Sequence, residues 1–379
     1  MKKVCIITSS HGRDDIRMFQ KQTISLSKNG INVVYVVVDG EKDFDRNNYK
    51  ITSFGIKAKS KFDRLLSISR KLYQPVLELN ADVYQICDPE LFPLGVKLKK
   101  QNRTVVFDSV EDYEGYYRGI YKGIIAIVTS KVMTFLLWRY LNRFDLTLVM
   151  SPNIQRRLEK YAPGKVKIVS NYPVVSGREG MPAITLDNYL ANNNQFIYSG
   201  SVYDFSEQEI VLESINAVED VNAKYLIVGK ISEERKQKLE ASNHEGRLEM
   251  IPWIKREELL KLYRSSICGV VIFDYTPVCC NKEGQMGSNK IFEYMLEGLP
   301  VICTDFSLWK SLIIDKYHCG ICVSPNNKVQ IKEAVSYIIH NKQEAFEMGQ
   351  RARNAVLTEF NWESQEKKYI SIIDSLIKN

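Results

Sequence analysis

Short apolar runs, rich in β-branched residues, recur along the chain. Each is followed by a polar turn and then a longer stretch with apolar positions every three to four residues. The runs at Val4–Ile7, Val33–Val38, Val83–Ile86, Val105–Phe107, Leu146–Met150 and Lys167–Val169 are continuous rather than alternating. Such runs predict strands covered on both faces, as in parallel sheets. The segments Ile16–Asn29, closed by Gly30 as a C-terminal cap, and Pro93–Lys100 read as intervening helices. A βαβ series of this kind predicts an α/β fold with a doubly wound sheet, helices on both faces.

The rhythm stops over residues 174–194, where Gly177, Gly180, Pro182 and the Asn192-Asn193-Asn194 run read as an interdomain linker. It restarts with strands expected at Phe196–Tyr198, Tyr225–Val228, Leu248–Ile251, Gly269–Phe273, Val301–Thr304 and Ile321–Val323. The chain is 379 residues long, more than one core usually serves. The expectation is therefore two Rossmann-like domains, 1–173 and 195–360, facing across a cleft. The amphipathic tail, residues 361–379, should pack back on the first domain. Ligands of such sheets sit at the carboxyl ends of the strands.

Composition narrows this little. Hydrophobic residues make up 45% and charged residues 26%, ordinary for a globular chain and too apolar for disorder. The net charge of +7 favours anionic partners such as phosphate esters or acidic lipid headgroups. Nucleic acid is disfavoured, since the basic residues are not interleaved with exposed aromatics. The start Met1-Lys2-Lys3-Val4-Cys5-Ile6-Ile7 resembles a signal peptide, but its apolar run ends at Thr8, too early for one. No stretch of 18 uncharged apolar residues occurs, so no spanning helix is expected. The eight cysteines then read as reduced thiols of a cytoplasmic protein.

The sharpest chemistry lies in Gly287–Ile302. Ser288 suits an N-cap and Gly298 a helix stop, so a short helix should sit between a polar loop and a buried strand. Its N-terminus would offer free amides to a phosphate, and Lys290 adds a positive charge in the first turn. Glu293, one turn on, could accept two hydrogen bonds from a ribose diol. The plain alternative is an amphipathic helix with a Lys–Glu pair. Gly12 and Arg13 follow the first strand, where backbone could approach a diphosphate or sugar; an exposed turn is the alternative. Asp43-Phe44-Asp45 sits in a polar loop and reads as no metal site. Cys319 and Cys322 have redox spacing but lead into a strand, and read as core residues. Residues 115–144 carry Arg118, Lys122, Lys131, Arg139 and Arg143 and no acidic residue, among many large apolar side chains. They read either as a basic amphipathic helix at an anionic membrane or as a long core helix.

Asn289-Lys290-Ile291-Phe292-Glu293-Tyr294-Met295 with Gly298-Leu299-Pro300-Val301-Ile302 resembles the donor-binding helix of family 4 glycosyltransferases. The segments Asp14-Asp15-Ile16-Arg17, Asp82-Val83-Tyr84, Asp88-Pro89-Glu90-Leu91 and Phe107-Asp108-Ser109 resemble bacterial surface-polysaccharide members. So do Ser151-Pro152-Asn153-Ile154, Val169-Ser170-Asn171-Tyr172-Pro173 and Phe360-Asn361-Trp362-Glu363. The resemblance implies the two-domain GT-B fold, a nucleotide-diphosphate sugar (a UDP-sugar first) on the C-terminal domain, and a glycan or lipid-linked acceptor on the N-terminal one. It also implies retention at the anomeric carbon, no cofactor and no metal. On this basis Lys290, Glu111 and Asp112 are the catalytic candidates. Glu293, Asn289, Ser288, Gln285, Lys230, Gly229, Gly12 and Arg13 are assigned to the donor, and Asp15 and Asp88 to the acceptor side. The chain departs from the family at Gln285, where a glutamate is usual, and at Gln85, Cys87 and Val110, where histidine is common. The basic residues expected after the first strand of the second domain are also not evident. A sugar-nucleotide-binding relative without turnover and a nucleotide-sugar epimerase are the rival readings. The expected location is cytoplasmic, extending to peripheral contact with the inner face of the membrane.

Overall fold

The computed structural model describes residues 2–178, 184–192 and 194–378. The chain forms two compact units. One comprises the residues up to Val174 together with those from Trp362 onward; the other is Val175–Asn361.

The first unit is built on an eight-stranded sheet. Its strands are β1 (Lys3–Ile7), β2 (Asn32–Val36), β3 (Phe44–Arg46), β4 (Tyr49–Thr52), β5 (Val83–Ile86), β6 (Thr104–Ser109), β7 (Leu146–Val149) and β8 (Val166–Ile168). Their spatial order is β3-β4-β2-β1-β5-β6-β7-β8. All pairings are parallel except the β3–β4 hairpin. That hairpin corrects the reading of Asp43-Phe44-Asp45 as loop. Three exposed residues leave no buried pattern to read, but Asn47, in the left-handed region at φ 50°, makes a two-residue turn with Asn48. Among the described residues no three His, Cys, Asp or Glu side chains converge as a metal site; Asp43 pairs with Lys50.

The helical segment from Ile16 runs as π-type turns to Thr23 and then as α1 (Ile24–Lys28). It is followed by α2 (Lys61–Glu78), α3 (Phe92–Lys100), α4 (Tyr113–Ile120), α5 (Gly123–Tyr140) and α6 (Pro152–Leu158). The tail helix Trp362–Lys378 docks on this unit: the Trp362 indole donates to Ser25 Oγ at 2.9 Å and its amide to the Pro173 carbonyl at 2.8 Å. Deeper in, the Tyr369 hydroxyl donates to Gln85 Oε1 at 2.8 Å. Gln85 and Gln22 both reach Asp108, whose carboxylate forks onto Arg17 at 2.8 and 3.0 Å. Arg17 and Asp108 are almost fully buried. Burying a carboxylate is tolerable only with such a set of partners. Several of the resemblance segments thus meet in one internal polar network.

The second unit carries a six-stranded, all-parallel sheet. Its strands are β9 (Gln195–Ser199), β10 (Lys224–Val228), β11 (Leu248–Ile251), β12 (Cys268–Val271), β13 (Val301–Thr304) and β14 (Gly320–Val323), ordered β11-β10-β9-β12-β13-β14. Its helices include α7 (Leu186–Ala191), α8 (Gln208–Asn216), α9 (Glu233–Ala241), α10 (Arg256–Arg264) and α11 (Asn289–Leu296). The stretch read as a linker differs from that reading at α7. Tyr189 is fully buried there and donates to the Ile267 carbonyl at 2.6 Å, fixing the helix to the second unit. Gly180, Pro182 and Asn193 lie outside the described residues.

The core-helix reading of residues 115–144 does not hold. On α5 only Ala126, Met133 and Leu137 are buried, one seam of the helix. Nor is the helix amphipathic, for large apolar side chains occupy the outward faces as well. By length and composition Gly123–Arg143 is long and apolar enough to cross a membrane, which the sequence reading had excluded on account of its charges.

Candidate functional site

In the second unit the polar groups gather where the strands end. Gly200 follows β9 and Gly229 follows β10. A Cβ on Gly229 would lie 2.3 Å from the Gly200 carbonyl oxygen, and one on Gly200 would lie 2.5 Å from Lys290 Cε. Both glycines have positive φ, 120° and 140°, which L side chains rarely adopt. Their bare backbones leave the space that the Lys290 side chain crosses.

Helix α11 is locked over these strand ends by one residue. The Tyr294 ring packs against Gly269 of β12, where an added Cβ would come within 2.3 Å of it. Its hydroxyl accepts the Ser199 amide at 2.7 Å, and Tyr263 from α10 bonds Ser199 Oγ at 2.6 Å. At the far end Gly298, φ 83°, lets the chain turn from helix to strand, with the Leu299 amide bonding back to the Tyr294 carbonyl. Ser288 stands at the N-cap position, but its side chain makes no capping bond, and Asn289 opens the helix.

Lys290 points its ammonium over the rings of Tyr198 and Phe273, at 5.3 and 5.7 Å from the centroids. Among the described residues no carboxylate pairs with it. Burial pushes its pKa down to about 8, so the cation is held ready but partly desolvated. Glu293, half-buried, is bound through Oε2 to Arg256 of α10 at 2.6 Å. Residues 256 and 293 are too far apart in sequence for the pattern to join them, so Arg256 was not legible as a site residue. Gln285 presents a buried Oε1 without a partner while its amide nitrogen reaches the Val278 carbonyl at 3.4 Å. Lys230 is exposed at the end of β10, and its carbonyl accepts the Val202 amide at 2.9 Å. The structure thus brings Lys290, Gly229 and Gly200 together, with Glu293 and Arg256 beside each other on α11 and α10.

In the first unit the candidates also sit at strand ends, but most are already engaged. Asp88, after β5, accepts the Ser9 amide at 2.6 Å and the Thr8 hydroxyl at 2.8 Å, with Ser10 Oγ also bonded. It clamps the loop after β1. Asp15 caps the first helix, taking the amides of Arg17 and Met18 at 2.9 and 2.8 Å on one oxygen and His11 Nδ1 at 2.9 Å on the other. Arg13 is spent on Asp39 and on the carbonyls of Glu41 and Lys42, and the Gly12 carbonyl accepts the Tyr35 hydroxyl at 2.8 Å. Asp112 is paired with Arg157 at 2.7 Å.

Two groups differ. The Glu111 carboxylate has no hydrogen-bond partner among the described residues. Burial, then repulsion from Asp112, pushes its pKa up to about 7. His11 feels the charge of Glu111, Asp15 and Asp88; burial alone would lower its pKa, but these carboxylates outweigh it and the net shift is upward. The sequence reading gave His11 no role, although its four-residue spacing to Asp15 is a signal of the pair.

Residues 188–355, less than half of the chain, match the family model for glycosyl transferases group 1. No curated protein sequence matches the chain. Solved structures do. The chain is similar to sucrose-phosphate synthase from Thermosynechococcus elongatus, with 15% identity over 100% of both chains and a TM-score of 0.79. It is similar to Anabaena Alr3699/HepE, solved in complex with UDP and glucose, at 12% identity over 99% of this chain and 100% of that one, TM-score 0.73. A third, described as trehalose-6-phosphate from E. coli bound with UDP-2-fluoro glucose, has 12% identity over 98% and 99% of the two chains and a TM-score of 0.71. The fold is GT-B.

Proposed function

We propose that the chain is a glycosyltransferase that moves a sugar from a nucleoside-diphosphate donor, a UDP-sugar, to a glycan or lipid-linked acceptor in surface-polysaccharide synthesis, working at the inner face of the membrane. The observation that carries this reading is Lys290. It is a partly desolvated cation with no carboxylate partner among the described residues, at the first turn of α11, beside two bare glycine backbones. The match of residues 188–355 to the glycosyl transferases group 1 model, and structural neighbours solved with UDP and UDP-2-fluoro glucose, support it.

Cleaving the bond between the anomeric carbon and the diphosphate leaves negative charge on the departing phosphate. Lys290 and the free amides at the start of α11 stabilise that charge as it grows, with no metal required. Glu293 bonds the ribose diol, its second oxygen steadied by Arg256. The anomeric carbon becomes oxocarbenium-like, and the leaving phosphate takes the acceptor's proton on the same face, giving retention. Glu111 and His11 of the first unit bond sugar hydroxyls on the acceptor side.

The test is donor binding and donor hydrolysis with UDP-glucose, in parallel with GDP- and dTDP-sugars, in excess EDTA. Parent protein should bind and slowly hydrolyse one donor. Glu293→Ala should bind it ten- to a hundred-fold more weakly, the loss of a charge-assisted bond of roughly 1.5–3 kcal/mol. Normal binding by a folded Glu293→Ala would remove the site assignment. Binding without hydrolysis would favour a non-catalytic relative, and activity lost in EDTA and restored by manganese would overturn the mechanism.

A further inference from the structure

The outward faces of α5 are the most apolar exposed surface of the first unit. Ile124 is 76% exposed and Trp138 60%, with Ile125, Ile127, Val128, Val132 and Phe135 between them, all more than half exposed. The opposite seam, Ala126, Met133 and Leu137, holds the helix to the protein, and Ser130 Oγ donates to the Glu114 carbonyl of α4 at 3.1 Å. A second apolar group lies on the first turns of α2, where Phe62, Leu65 and Leu66 are exposed, the last by 82%. An exposed apolar surface of the extent carried by α5 is rare without a partner.

We infer that α4–α5 forms a monotopic docking face, seated in one leaflet of an anionic phospholipid bilayer. The charge pattern selects this occupant. Residues 115–144 hold five basic side chains, Arg118, Lys122, Lys131, Arg139 and Arg143, and no acidic one, out of a net +7 for the chain. Each basic group near an anionic surface adds attraction, while the apolar side chains enter the acyl boundary. Lys131 falls among the exposed apolar residues and can reach headgroups along its methylene stem. The helix is about 27 Å long, close to the bilayer's hydrocarbon thickness. Crossing it, however, would strip the seam and the Ser130 bond from the protein, so the helix lies along the leaflet. Glu111 lies two residues before α4, which joins this acceptor-side candidate in sequence to the docking face. This deepens the reading of a lipid-linked acceptor, which it takes as its premise, by having that acceptor reach Glu111 from the leaflet.

The experiment is flotation of the full chain with vesicles of phosphatidylcholine alone or with phosphatidylglycerol, at low and high salt, followed by alkaline carbonate extraction. The expected result is binding to the anionic vesicles, reduced but not abolished by salt, and full release by carbonate. Ile124→Ser with Phe135→Ser and Trp138→Ser should reduce the bound fraction at least tenfold. These positions are exposed, and circular dichroism should be unchanged. Donor hydrolysis in solution should also be unchanged, so failure of docking is separable from failure of the enzymatic reading. No binding to anionic vesicles, resistance to carbonate extraction, or self-association abolished by the same three substitutions without vesicle binding would each overturn the proposal.

Discussion

The start of α11 and the loops around Asp88 both place charged residues at the carboxyl ends of parallel strands, but they use those charges differently. Around Asp88 nearly every group has an internal partner: Asp88 holds the amide and hydroxyls of residues 8–10, Asp15 caps a helix, Arg13 grips Asp39, and Asp112 holds Arg157. At α11 the lysine lies over aromatic rings with no carboxylate paired to it among the described residues, and Gln285 keeps a bare buried oxygen. A charge satisfied by its own fold has little left for a ligand, and removing its partner costs stability. A desolvated charge without a counterion is costly until a ligand supplies one. The comparison separates residues that build the strand-end loops from residues reserved for a ligand.

The largest effect should come from the satisfied side. Arg17→Ala leaves Asp108 buried beside Gln22 and Gln85 without its cation. A loss of about 3–5 kcal/mol is expected from denaturant unfolding of the first unit. Arg17→Ala with Asp108→Ala should cost less than the sum of the single changes. A loss below about 1 kcal/mol for the single change would mean the network is open to solvent or ligand, and the contrast would fail.

Lys290 tests the other side. Its pKa near 8 means that the free protein loses the cation as pH rises past that value. The kcat/KM for donor should fall above about pH 8, and Lys290→Arg should move that limb out of range. Lys290→Ala should lower kcat by roughly a hundred- to a thousand-fold, with less effect on donor binding. A flat profile from pH 7 to 10 in the parent would show that Lys290 does not carry the charge.

The two sides were unequally legible in sequence. The continuous apolar runs located every parallel strand except β4, whose Tyr49-Lys50-Ile51-Thr52 is too polar to form such a run; strands buried on both faces leave that trace in any order. The β3–β4 hairpin left none, since its first strand is exposed. Helix α11 was readable from its cap glycine and first-turn lysine, which are local signals. Arg256 on Glu293, Arg157 on Asp112 and the approach of Gly200 to Gly229 join distant parts of the chain, and only the fold shows them. Helix α5 misled for a related reason: an apolar composition says a face must be covered, not by what.

The smallest expected effect concerns Glu111, whose carboxylate has no hydrogen-bond partner among the described residues. Its pKa in the folded protein is raised to about 7, from an ordinary value of 4.5, because burial and Asp112 disfavour the anion. Between those values the folded chain binds more proton than the unfolded chain, so this group's contribution to stability falls as pH rises. Below about pH 4.5 both states hold the proton, and no penalty arises. Above about 7 the penalty is complete, of order 1–3 kcal/mol. Glu111→Gln keeps the shape and removes the ionisation. Its melting temperature should therefore match the parent's near pH 5 and exceed it increasingly up to pH 8, by a few degrees. The opposite slope, with the variant losing ground as pH rises, would mean that the Glu111 anion is stabilised by His11 and belongs with the satisfied groups. A rise of the predicted sign, together with weaker acceptor binding by the variant, would place Glu111 with Lys290 among the groups held at a cost for a ligand.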